Sequence, residues 1–314
     1  MRKSANRKQW AARSAIQKAI RRSDLGMLRG AFRILWDMDR SWLLWRLHIL
    51  AIEEVWQYSG EAHLLARSIQ NAETPASCED QVYDYLDTLC RSYKDHSTYA
   101  LLVLTEMHGK GQYPGPGQAP FQRRWESLLR MFDYRKKYGD EAMARAVMTK
   151  AAALEHPEAE LTARGCMDRF ELQGGMEGDR TMALIGGFLA LTSFAGPPPL
   201  ARISETGIPD DWPWWVYDHH TSVGKAVFPG AARELGMSKT ELAHLSFGFT
   251  GGVREPVDRK AFWPYEMERA LNRVQPNRKQ IWEERAREVV QMAVLERMNT
   301  EKVEQELRLP LKQY

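Results

Sequence analysis

Asp218, His219 and His220 stand side by side in DDWPWWVYDHHTSVGK (210–225), a run that Lys225 closes. Carboxylates and imidazoles in such a cluster are proton carriers or metal ligands, and paired metals serve phosphoester hydrolysis. That chemistry needs further aspartates placed by earlier elements. The one Asp-x-Asp, Asp37-Met38-Asp39, falls inside a helical pattern without companion ligands. His244 and Cys166 lack the spacing of a zinc site, so no metal and no cofactor are expected. Trp212, Trp214, Trp215 and Tyr217 instead offer large faces for packing, and Pro213 keeps their backbone extended. Asp218 or Thr221 then suits the N-cap of a following helix. A helix start beside His220, Thr221 and Lys225 would also attract phosphate. Two readings of the run stand: a packed corner, or a polyanion contact or catalytic cleft built from Asp218, His219, His220 and Lys225.

The second candidate lies at the N-terminus. Residues 1–33 hold ten basic residues (Arg2, Lys3, Arg7, Lys8, Arg13, Lys18, Arg21, Arg22, Arg29 and Arg33) against the single acid Asp24. Such an excess seeks a polyanion, because each cation that neutralises a phosphate releases a counterion. Arg2, Lys3, Arg7, Lys8, Arg13, Lys18, Arg21 and Arg22 are the expected nucleic-acid contacts. The neighbouring tryptophans are assigned to the apolar stripe and hence to core packing. A basic, acid-poor leader also fits a mitochondrial transit peptide, leaving the matrix as the alternative to a cytoplasmic location.

The third is the tail QELRLPLKQY (305–314). Leu307, Leu309, Pro310 and Leu311 resemble the Gln-Leu-Ser-Leu-Pro-Leu peptide by which bacterial proteins dock on the replicative sliding clamp, with Glu306 in place of a glutamine. An extended, proline-stiffened segment can seat alternate leucines in an apolar groove.

The elements that must position these residues are helices. Apolar residues recur at three and four along most of the 314-residue chain, which predicts a mostly α protein of two helical domains. Ala12, Ile16, Ala19 and Ile20 form one stripe of a helix over 10–22. A second helix covers 27–39. The next, 41–56, is apolar nearly all round and must be central, with Arg46, His48, Glu53 and Glu54 forming an internal charge network. Helices at 61–71, 79–92 and 97–107 complete a first domain, 1–107. HGKGQYPGPGQAPFQ (108–122) is too rich in glycine and proline for a helix and serves as the predicted linker. A Trp-rich helical domain follows over 123–304, ending in a long helix after Asn277. TMALIGGFLALTSFAG (181–196), broken by Gly, Thr and Ser, reads as a buried helix and not a membrane span. Three scattered cysteines make neither a disulfide framework nor a metal knuckle, which favours a reducing compartment.

Residues 14–60 carry a resemblance. Ser14, Ala15, Lys18 and Arg21, then Arg46 and Leu47, then Ala51, Glu53, Glu54 and Val55 match landmarks of the helical collar that follows the ATPase module in RarA/MgsA-type recombination-associated AAA+ proteins. Trp45, Ile52 and Trp56 depart from the pattern. Collars of clamp-loader-like ATPases oligomerise, so the resemblance implies a replication or recombination accessory that assembles with partners. The glycine pairs at 174–175, 186–187 and 251–252 lack the Lys-Ser/Thr of a phosphate-binding loop, so no ATPase of its own is expected. The leading expectation is a DNA-binding accessory protein. An enzyme acting on nucleic acid or nucleotides, and an oligomeric scaffold without nucleic acid, are its rivals.

Overall fold

The computed structural model describes residues 7–95, 98, 101–102, 122–171, 177–200, 222–240 and 242. They are mostly helical: α1 (Arg7–Arg22), α2 (Leu25–Glu54), α3 (Ser59–Asn71), α4 (Glu79–Arg91), α5 (Gln122–Tyr138), α6 (Asp140–Ala151), α7 (Pro157–Glu171), α8 (Glu177–Ser193) and α9 (Ser222–Glu234). Short 3-10 turns precede α3 and α4. Only isolated bridges, Val55 to Asp95 and Ser92 to Leu200, represent extended pairing among the described residues.

Helix α1 contains no Gly or Pro and buries the expected stripe, with Ile16, Ala19 and Ile20 fully enclosed. It stops at Ser23, whose positive φ of 58° turns the chain, while the Asp24 amide donates back to Ala19 O at 2.9 Å. Asp24 Oδ1 then accepts from the Met27 amide at 2.9 Å, so the single acid of the basic leader is the N-cap of α2.

The helices expected at 27–39 and 41–56 both form and meet at a kink within α2. Helical geometry fails only at Asp39 (φ −155°, ψ 38°) and resumes at once. Beyond the bend, Leu43, Leu47, Ile49, Leu50, Ala51 and Ile52 are buried, consistent with its all-round apolar surface.

The chain divides into two compact units. One gathers the described residues up to Leu43 with those from Ser222 on, and the other holds those from Leu44 to Leu200. Helices on both sides of the 108–122 tract belong to the second unit. Helix α3, before that tract, packs tightly on α7, after it. Glycine is the physical reason. A Cβ on Gly165 of α7 would be driven into the Ser59 carbonyl of α3, so the two backbones touch. On the other side of α7, a Cβ on Gly186 of α8 would stand 2.8 Å from Cys166 Sγ. A breaker-rich tract stops helices, but burial of the flanking faces decides which helices share a core.

Helix α8 is buried along Met182–Ile185 and at Leu189 and Ala190, as expected of the 181–196 segment. No helix among the described residues is long and apolar enough to cross a membrane.

Candidate nucleic-acid interface

Four of the N-terminal cations, Arg13, Lys18, Arg21 and Arg22, are engaged by the protein itself. Lys18, Arg21 and Arg22 are 7%, 8% and 8% exposed, and none lacks a partner. Arg13 binds Asp39 and lies between the Trp10 and Trp42 rings, 5.0 Å from each centroid. These four are therefore not a row of cations facing solvent, which corrects their assignment as phosphate contacts. The error has a simple source: a long basic side chain can lay its stem along apolar surface, so a charge in the sequence does not locate a charged face. Trp10 corrects the opposite assumption, being 47% exposed and not in the core. Arg7 and Lys8 begin α1, whereas Arg2 and Lys3 lie outside the described residues.

Lys225 is exposed near the start of α9. Asp218, His219 and His220, the tryptophans before them, His244, the segment of the expected long final helix, and the tail with Leu307, Leu309, Pro310 and Leu311 lie outside the described residues. So does most of the helix expected at 97–107. Among the described residues no three His, Cys, Asp or Glu side chains gather as a metal site.

Polar groups inside the second unit serve packing. Arg46 donates to Glu53 at 3.1 Å, one pair of the expected internal network, and stands 3.8 Å from Asp179 at the start of α8, a partner the sequence reading did not name. His63 Nδ1 hydrogen-bonds Asp168, tying α3 to α7. Cys166 lies beside this pair in sequence, but burial pushes its thiol up to about 12, far from nucleophilic. Trp56 and Gln57 both donate to Asp95 Oδ2, at 2.9 and 2.7 Å. Lys94 donates to the carbonyls of Leu89, Cys90 and Ser92 at 2.7–2.8 Å, closing the end of α4.

A cationic surface does exist, on α5. Arg130, Tyr134, Lys136, Lys137 and Tyr138 are exposed, although Met131 on the same helix is buried. Tyr134 and Tyr138 are 40% and 52% exposed, although they are large enough to be covered had the fold required it. Their rings are tilted together with centroids 4.6 Å apart, and Lys137 Nζ lies 4.9 Å from the Tyr138 ring. Arg135 anchors the helix from behind. It grips Asp140 with a two-nitrogen contact and donates to Thr181 Oγ1 of α8 at 3.2 Å. The same guanidinium holds the Asp140 carboxyl below its ordinary range. Asp133 is the one acid of the segment Arg130–Tyr138. The signal was present in RMFDYRKKY as aromatics interleaved with cations. It was missed because the helical period alone does not say which aromatics face inward.

No family model matches the chain, and no curated protein or solved structure does either.

Proposed function

We propose that this chain is a nucleic-acid-binding accessory protein of DNA replication or recombination that hydrolyses no nucleotide itself. One observation carries the binding role: α5 exposes Arg130, Lys136 and Lys137, and Lys137 lies against one of two exposed, mutually packed tyrosines. Cations supply the sequence-independent attraction to phosphate, and ring faces supply contacts to bases. The replication or recombination setting rests on the likeness of residues 14–60 to a clamp-loader-type collar. In this reading the protein acts within an assembly, and Leu307, Leu309, Pro310 and Leu311 are the segment offered to a sliding clamp.

The test is fluorescence anisotropy with a labelled oligonucleotide over a salt series. Three phosphate contacts on a single strand give a slope of log K against log salt of about −2. The triple variant Arg130→Glu, Lys136→Glu, Lys137→Glu should abolish that binding while its helical circular dichroism persists. Wild-type protein that binds no oligonucleotide at low salt, or a variant that binds as before, would overturn the reading.

A further inference from the structure

Duplex DNA keeps its base faces stacked inside the helix and offers a protein its phosphates and groove edges. A single strand exposes the faces themselves, and an aromatic side chain on a basic surface is the group that takes them. We propose that the α5 surface, accepting its role in nucleic-acid binding, is a single-strand platform on which Tyr134 and Tyr138 stack bases.

The tyrosines are four residues apart, so their rings lie on successive turns of one helix face. The rings are inclined at 44°, and Tyr134 and Tyr138 remain 40% and 52% exposed, so the pair leaves surface open to a base. Lys137 Nζ lies over the Tyr138 ring, which keeps a cation at the tyrosine pair that a phosphate can draw away as a base takes its place. Arg130 stands one turn before Tyr134, which continues the cationic track along the helix. Neither tyrosine hydroxyl is needed, since stacking uses the ring face.

Full-length protein is titrated with a labelled 15-nucleotide oligo-dT and with a mixed-sequence 15-base-pair duplex. The expected result is tighter binding of oligo-dT. Tyr134→Ala with Tyr138→Ala should weaken it about tenfold or more, within the range for loss of base stacking, and change duplex binding less than twofold. Tyr134→Phe with Tyr138→Phe should bind as wild type. An equal loss on both nucleic acids, or no loss on oligo-dT, would overturn the platform, and poly-glutamate binding with the same tyrosine dependence would reassign the face to an acidic peptide. The charge-reversal variant separates this failure from the broader one. If it abolishes binding while the tyrosine variant does not, nucleic-acid binding stands and the single-strand platform falls.

Discussion

Arg13 of α1 holds Asp39 at the bend of α2, with Nη2 2.5 Å and Nε 2.6 Å from Oδ2. Gln9 reinforces the grip by donating to Met38 O at 2.8 Å. The bend interrupts the helical ladder there, and α1 supplies polar partners for the groups around it. Arg13 meanwhile lies against two indole rings.

Arg13→Ala should therefore destabilise the protein by about 1–2 kcal/mol, combining a partly buried ion pair with two cation–π contacts of about 0.5–1 kcal/mol each. Urea denaturation of Arg13→Ala, Asp39→Ala and the double variant measures the coupling. Strictly additive losses would show that the pair contributes nothing beyond its separate parts.

Gly165→Ala should destabilise by about 3 kcal/mol or more, since the new methyl meets a backbone carbonyl that cannot rotate away. Thermal denaturation reads the loss. A melting temperature within one degree of wild type would contradict the backbone contact between α3 and α7.

Stability should rise with pH above about 8. Burial lowers Lys94 from 10.5 to about 8, so between those values the unfolded chain binds a proton that the folded chain has released. Cys166, raised from 9.0 to about 12 by burial, acts in the opposite direction from about pH 9 upward, and Tyr85, raised well above 10.0 by burial, joins it from about pH 10, because the unfolded thiol and phenol ionise first. The net gain therefore belongs to the window from 8 to 9. Chemical denaturation across it should give a positive slope for wild type and a flatter one for Lys94→Met. That variant should also be less stable at pH 7, where three carbonyls lose their donor.

Cys78, Cys90 and Cys166 are 3%, 0% and 0% exposed. A thiol reagent should label none of them in the native protein and all three after denaturation. Fast native labelling of any one would contradict its burial.

Local order was readable from spacing where one force dominated. The α1 stripe, the buried α8 and the Arg46–Glu53 pair all follow from apolar period or from the need to pair a buried charge. The break at Asp39 was readable as the gap between the 27–39 and 41–56 patterns, although those patterns did not say that the helices meet at a kink without a loop. The division of units was not readable, since a Gly/Pro tract records where helices stop, whereas Gly60, Gly165 and Gly186 record which helices meet. The candidate interface was misplaced for a related reason. Lys18, Arg21 and Arg22 are buried although charged, and Tyr134 and Tyr138 are exposed although aromatic. Residue type biases burial, but the packing partner decides it.

The missing side chain at position 165 also serves as a mark of kinship. A descendant sequence may exchange its surface charges and much of its core volume and still keep this seam. Any substituent at that α-carbon would force the two helices apart. Distant kin of this chain should thus be sought by a bare position in the seventh helix facing the Ser-Gly step of the third, before any likeness of charge or length.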